Sequence, residues 1–397
     1  MTKQILSQFE IEGGIGETSI SITPDMNIKL KTIENDIFNS SDIQVKVDFN
    51  KKKNITVNNN KDESSTNYHN LSDAIYAVAE YGTITLESDL SGETIILNKN
   101  INLISKSLNK LTNYQIINQA KEVLIQGIHF TNNDNSVTNN GEILIKECKF
   151  DNHEGNSAII TNNKIMIYKC EFENNKGIDG SCIYIQNKNS KTIIDQCSFK
   201  QNYASGYGSC IYSNKGNDVE IVGCEFINQN ESKVNGTCIS VYGNTYISQN
   251  TFYDNIGNNE IFLTNGTIEM ERNIFDGEIT SVAKYNGEII DEGLNYWGYN
   301  DMEVIEDING VELTTYLISR CKIVRKDDTN FYAIGLIDQY KNRLEKDIIT
   351  NIEPIQSSLP VRIGNILSSL NKEEITIKNN SIMYIGKAEV EANVDGN

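Results

Sequence analysis

Cysteine is the residue whose spacing in this chain most invites a chemical reading. The pentapeptide GSCIY runs from Gly180 to Tyr184 and again from Gly208 to Tyr212, and GTCIS follows from Gly236 to Ser240, so Cys182, Cys210 and Cys238 recur every 28 residues. A second set, Cys148, Cys170, Cys197 and Cys224, stands two residues before a phenylalanine each time. Regularly spaced thiols can ligate metal, pair as disulfides, or serve as small buried apolar residues. The chain has no C-x-x-C pair, which leaves a zinc site without support. Carboxylates are the other candidate chemistry, because glycoside hydrolysis needs two of them about 5 to 9 Å apart. Glu147, Glu171, Asp195, Glu220 and Glu225 qualify by position, but Lys169, Gln196 and Ser198 interrupt their files. His69, His129 and His153 are dispersed, and Arg272 is the lone arginine of the repeat region. We therefore expect no catalytic residue, no metal and no cofactor.

The elements that must position these residues are set by an internal repeat. C-x-F recurs as CKF, CEF, CSF and CEF, and IHF, NTF and NIF extend it to Phe130, Phe252 and Phe275. The seven phenylalanines are 20, 22, 27, 27, 26 and 23 residues apart, which means fixed strands joined by loops of different size. Three residues before each C-position stands Ile125, Ile145, Ile167, Ile194, Ile221, Ile247 or Met270, and two residues earlier a second apolar column. Residues two apart on a strand face the same way, so each copy reads as a short inward strand, a two-residue corner, and a second inward strand. Such strands are stable only when stacked, about 4.7 to 4.9 Å apart, with like side chains forming ladders. The GSCIY element supplies another strand, with Ile159, Ile183, Ile211 and Ile239 inward and Ala158, Cys182, Cys210 and Cys238 at a crowded corner. Asn133, Asn152, Asn174, Asn202, Asn228 and Asn255, just after the phenylalanines, fall where the chain turns, where asparagine tolerates left-handed geometry and can bond the next coil. The fold class is all-β: a right-handed, pectin-lyase-like parallel β-helix of roughly nine coils, its hand taken from the usual sense of parallel crossovers. The seven thiols of the repeats are structural ladders.

Residues flanking the repeats read as separate modules. Asn70 to Gly82 has Leu71, Ala74, Ile75 and Val78 on one helical face, with Asn70 to start it and Gly82 to stop it, an N-terminal capping helix. Trp297, in NYWG, reads as a plug over the last coil and as a member of the structural ladder. Residues 58–67 are polar and read as a linker, and 1–57 alternate as a small β domain suited to docking. Residues 68–298 form the capped β-helix. After Gly298 the period disappears and 299–397 carry strand patterns spaced as in an Ig-like β-sandwich.

Across the 397 residues, 54 acidic side chains against 35 basic ones give a net charge of -19, which disfavours nucleic acid and anionic membranes as partners. No apolar run is long enough to span a bilayer, and the start lacks a signal-peptide core, so an extracellular or virion location implies another export route. Contact residues are expected in two places. Between the inward columns an outward apolar row contains Leu124, Leu144, Met166 and Ile193, then Glu220 and Tyr246. The loop Asn202 to Gly208 offers Tyr203 and Tyr207, suited to carbohydrate or protein contact.

The F-x-x-N motif (Phe130 to Asn133, Phe199 to Asn202, Phe252 to Asn255), with its G-small-small-I partner, resembles the paired repeats of chlamydial polymorphic membrane proteins. From Leu71 onward the order of an L-x-DAI segment, β-helix repeats, N-x-W-G and sandwich strands resembles the adhesin-like surface proteins of methanogenic archaea. Those proteins normally carry a signal peptide and a wall anchor, which are not seen here. The added N-terminal module also resembles that of a tail fibre or receptor-binding protein of a tailed virus. The resemblance implies host or surface attachment through a cell-surface glycan or protein, with virion tail proteins as partners of the N-terminal module. A polysaccharide-degrading lyase or hydrolase on the same fold is the alternative.

Overall fold

A computed structural model describes residues 51–186, 191–214, 216–229, 235–275, 279–299, 301–326, 329–338, 374–378 and 381–386. The body is a parallel β-solenoid of about 11 turns. Each turn contributes one strand to each of three faces, for example Ile143–Lys146, Lys149–Asp151 and Ile159–Thr161. Neighbouring turns pair in register on all three: Ile143 with Val123 and Ile165, Phe150 with Phe130 and Phe172, Ile159 with Val137 and Ile183. The long strands Ile239–Ser248 and Asn259–Glu271 run through from the third face to the first and join them into one sheet. The repeat therefore dictates both the strands and their stacking.

The solenoid begins earlier than the repeat suggests. Lys52–Val57 is a first-face strand, parallel to Val78–Leu86 with Ile55 opposite Ile84 and Val57 opposite Leu86. Residues 52–57 thus leave the expected N-terminal domain, whose residues 1–50 lie outside the described residues. The stretch 58–67, expected as a linker, joins Lys52–Val57 to Asn67–Tyr68, which pairs parallel with it on the outer edge of the first face, and it is tied down by Asn67 Nδ2, which donates to the carbonyls of Asn58 and Asp62 at 3.1 Å each. This earlier start takes the turn count beyond nine.

Two corners repeat along the axis. Between the first and second faces, Glu147, Lys169, Gln196, Gln249 and Arg272 have φ of 52° to 58°, and Gly127 and Gly223 hold the same position. At Gly127 a Cβ would lie 2.2 Å from the Ser105 carbonyl oxygen, so only glycine fits there. After the second face the asparagines divide into two adjacent columns. Asn132, Asn152, Asn174 and Asn228 take left-handed φ of 52° to 56°. The next residue in each turn, Asn133, His153, Asn175, Asn202, Gln229 or Asn255, is buried and faces inward. The expected single asparagine column was a mixture of these two.

Phenylalanine fills the interior behind the second face. Phe130, Phe150, Phe172, Phe199, Phe226, Phe252 and Phe275 stack with centroids 4.8 to 5.0 Å apart and planes within 9°. That spacing is the strand separation itself, so the backbone imposes face-to-face stacking that free rings would avoid. Trp297 takes its expected ladder place but does not plug the end: it lies 5.3 Å from Phe275 at 12° as the last ring of the stack, and Tyr296 pairs onward with Leu317, so NYW is another copy of C-x-F.

The helix expected over 70–82 covers Leu71–Ala77, with Leu71, Ala74 and Ile75 buried and the Asn70 Oδ1 accepting the Asp73 N–H at 2.8 Å. Gly82 does not stop it. The chain turns extended at Val78, and Gly82 sits inside a strand where a Cβ would meet the Lys53 carbonyl oxygen at 2.9 Å. A helix that the sequence reading missed, Met302–Asn309, follows Trp297; its Asn309 Oδ1 accepts the N–H groups of Ser281 and Val282 at 2.9 and 3.3 Å, satisfying an edge of the third face. Tyr316–Lys326 then extends the second-face sheet and turns antiparallel with Thr329–Asp338, on which Ser381–Gly386 and Glu374–Lys378 pair in turn. These described strands make one antiparallel sheet; the rest of the expected sandwich lies outside the described residues.

Candidate ligand-binding face

On the third face, strands such as Ile183–Ile185 bury their first and last residues, so the middle one faces out. Register places Ile96, Ile117, Thr138, Ile160, Tyr184 and Tyr212 in one outward row over six consecutive turns. No member of the row carries a formal charge, in a chain of net charge -19. Tyr184 and Tyr212 are the tyrosines of the two GSCIY copies. Their ring centroids are 5.2 Å apart at 34°, and Tyr207 from the preceding loop stacks on Tyr212 at 5.7 Å and 14°.

The loop is held in place by the turn before it. Tyr207 N–H donates to Asp179 Oδ1 at 2.8 Å, the Tyr207 carbonyl accepts from Gly180 N–H at 2.9 Å, and Gly206 N–H donates to the Ile178 carbonyl at 2.6 Å. A Cβ at Gly206 would lie 2.8 Å from the Ile178 carbonyl oxygen, a backbone atom, and 2.2 Å from Asp179 Oδ1, so glycine suits this approach. Gly180 is required: its φ is 54° and a Cβ would meet Tyr212 Cβ at 2.8 Å. Gly180 thus lets one turn's corner press against the next turn's outward tyrosine, and Gly208 does the same against Ser240. Asn214 Nδ2 donates to Tyr184 Oη at 2.5 Å. Burial, then Asp179 and the neighbouring rings, pushes the Tyr212 phenol up to about 12, so it remains a neutral donor. Tyr207 stays 38 % exposed, and Ile178 beside it is 62 % exposed.

The expected contact residues divide between faces. Tyr207 joins this cluster, while Tyr203 lies in a small separate sheet, its strand Tyr203–Ala204 paired with Lys176–Gly177. Leu124, Leu144, Met166 and Ile193 do form an outward file on the first face, in register and half-buried, with Met166 the most open. Glu220 and Tyr246 continue it, but Glu220 pairs with Lys191 at 3.0 Å and the Tyr246 hydroxyl donates to Glu271. The sequence reading missed Tyr184 and Tyr212. Their signal was present, one residue after an inward isoleucine on a strand.

The thiols of the repeats are buried and not joined in disulfides, Cys148, Cys170, Cys197 and Cys224 in one file and Cys182, Cys210 and Cys238 in another, with Cys238 Sγ donating to Glu260 Oε2 at 3.0 Å. Burial pushes the Cys148, Cys170 and Cys197 thiols well up, so they stay protonated and unreactive. Among the described residues no three His, Cys, Asp or Glu side chains converge as a metal site would require.

The expected carboxylates are spread over two faces and a corner. Glu147 sits at a corner and accepts from Gln126 at 2.7 Å. Lys149 stands between Glu171 and His129 on the second face, and Ser198 between Glu171 and Glu225. Asp195 and Glu220 occupy neighbouring first-face strands, and burial followed by Glu220 raises the Asp195 carboxyl. The second face carries a diagonal ion-pair chain: His129 Nε2 lies 2.9 Å from Asp151 Oδ2, and Lys149 Nζ lies 3.8 Å from Asp151 and 2.7 Å from Glu173. A Ser–His–Asn chain also exists. Ser136 Oγ is 2.6 Å from His153 Nε2, and His153 Nδ1 is 2.8 Å from Asn175 Oδ1. All three residues are fully buried, so this chain holds the interior together and meets no substrate. An open cleft of about 390 Å³ near the N-terminal end is lined by His69, Asp89, Thr112 and Tyr114 among others.

These features define the class as a parallel β-solenoid whose third face carries an uncharged outward row with two adjacent tyrosines. No protein-family model matches the chain, and no curated protein matches it. No helix of the described residues is long and apolar enough to cross a membrane.

Proposed function

We propose that the chain is an attachment protein whose solenoid binds a cell-surface glycan or protein, without catalysis. The observation that carries this reading is the uncharged outward row that holds Tyr184 beside Tyr212, with Tyr207 stacked on Tyr212. Recognition needs a rigid surface with aromatic area and low ordering cost, and ladders fixed by backbone pairing supply both. Attachment is favoured over catalysis by the engagement of Glu220, Glu173 and Asp151 with lysine or histidine and by the two turns between Glu171 and Glu225; Asp195 beside Glu220 is the pair on which the degrading alternative would rest. The test is a surface-binding assay with labelled full-length protein on intact cells, run beside measurement of reducing-sugar and unsaturated-uronate release from the same cells' polysaccharide. Saturable binding with no product supports attachment. Product release at catalytic turnover would put the degrading enzyme in its place.

A further inference from the structure

We propose that the Tyr184, Tyr207, Tyr212 and Asp179 cluster is a binding site for a neutral glycan. This rests on the attachment reading and narrows its ligand. Three features of the cluster select among ligand chemistries. Tyr207, stacked on Tyr212 on one side and 38 % exposed, offers apolar ring area that the C–H face of a pyranose covers well, and the Tyr207 and Tyr212 hydroxyls need partners once water is displaced. Asp179 adds a carboxylate whose Oδ1 is held by the Tyr207 N–H, and Asn214 adds an amide already fixed on Tyr184. A polyol satisfies ring and polar groups together, whereas an apolar peptide face would bury the Tyr207 and Tyr212 phenols without giving them a partner.

Charge and spacing remove the other small-ligand classes. An acidic sugar would meet Asp179 and the field of a chain carrying -19. A quaternary ammonium needs a cage of rings around an open centre, but here the rings contact one another, at 5.2 and 5.7 Å between centroids. The row beyond the cluster strengthens the choice. Ile160, Thr138 and Ile117 repeat the uncharged outward position once per turn, so the site continues along the axis as a surface suited to a polymer of repeating units. The loop is preorganised by the Asp179 contact, which reduces the ordering cost of binding.

The experiment uses the full chain against an immobilised panel of neutral hexose and N-acetylhexosamine oligosaccharides, with sialylated and sulfated oligosaccharides alongside. Wild type should bind at least one neutral member and no acidic member more tightly. Tyr207→Ala, which changes a partly exposed loop side chain and leaves the ladders intact, should weaken that binding at least tenfold, and Tyr212→Phe, which keeps the ring and removes the hydroxyl, about threefold to tenfold. Tyr285→Ala, at a tyrosine 84 % exposed elsewhere on the chain, should stay within twofold. Circular dichroism on each variant separates lost binding from lost fold. Binding confined to acidic glycans, or undiminished by Tyr207→Ala in a folded protein, overturns the proposal. Saturable binding to cells with no neutral glycan bound overturns it too, while leaving attachment standing; failure of cell binding as well removes both.

Discussion

One corner column of this solenoid is built in two ways. From Cys148 to Cys224 it consists of thiols, and from Asn250 through Asn273 to Asn295 it consists of amides. In both halves the side chain reaches back to the preceding turn and performs the same two tasks. In the thiol half, Sγ accepts the N–H of the previous cysteine at 3.4 to 3.5 Å and points at the carbonyl of the isoleucine three residues before it at 3.6 to 3.7 Å. In the amide half, Oδ1 accepts the equivalent N–H at 2.8 to 3.0 Å and Nδ2 donates to the equivalent carbonyl at 2.9 to 3.2 Å. The corner leaves one buried N–H and one buried C=O per turn without a strand partner, and some side chain must meet them. Sulfur does so weakly, the amide strongly. The column is therefore defined by a hydrogen-bonding duty, and cysteine is its weaker, smaller solution.

Four outcomes would break or sharpen that comparison, in falling order of effect. Phe199→Ala empties one ring of the stack that both halves share, and should cost about 3 to 5 kcal/mol by denaturant unfolding. A loss under 1 kcal/mol would mean the rings do not carry the stack. Next comes His153, which occupies the buried column after the second face where neighbours have amides. Burial lowers its pKa from 6.5 to about 4, so the unfolded chain takes up the proton first. Its contribution is complete above the ordinary value and is lost as pH falls toward 4, by roughly 3 kcal/mol. His153→Asn should flatten this part of a stability-versus-pH curve; an unchanged curve would assign the acid sensitivity elsewhere. Third, Asn273→Ala orphans the Asn250 N–H and the Ile247 carbonyl, at about 1 to 3 kcal/mol, whereas Cys197→Ala should cost less under the same assay. The smallest effect belongs to Asn250→Cys, which moves the junction by one turn and should cost about 1 kcal/mol or less. If it cost more than Asn273→Ala, thiol and amide would not be equivalent in duty.

The same comparison explains what the sequence made legible. Phenylalanine and isoleucine recur at one fixed position each, and the stacking follows from them directly. The thiol file was legible as a column but not as a hydrogen-bonding device, because the clue lay in NTF, NIF and NYW, where asparagine replaces cysteine. Trp297 was misread as a plug for a related reason: its size suggested one, yet it keeps its ladder place two residues after Asn295. The asparagines after phenylalanine were displaced by one, since F-x-N and F-x-x-N both contain asparagine in several turns and only backbone geometry separates them. Lys52–Val57 was hidden because it precedes the first clear repeat. The helix Met302–Asn309 carried its signals, Asp301 to start it and Gly310 at φ 60° to end it, inside a stretch expected to hold only strands. Of the candidate face, Tyr207 was legible as a loop tyrosine, whereas Tyr184 and Tyr212 become neighbours only once turns stack.

The central claim is that equivalent residues lie in files along one axis, and sulfur makes it measurable. An anomalous difference map from crystals of the protein should show Cys148, Cys170, Cys197 and Cys224 as four separate peaks in one line, spaced by the strand separation of about 4.8 Å, with Cys182, Cys210 and Cys238 in a second line. Merged sulfur pairs at disulfide distance, or peaks scattered through the molecule, would contradict it.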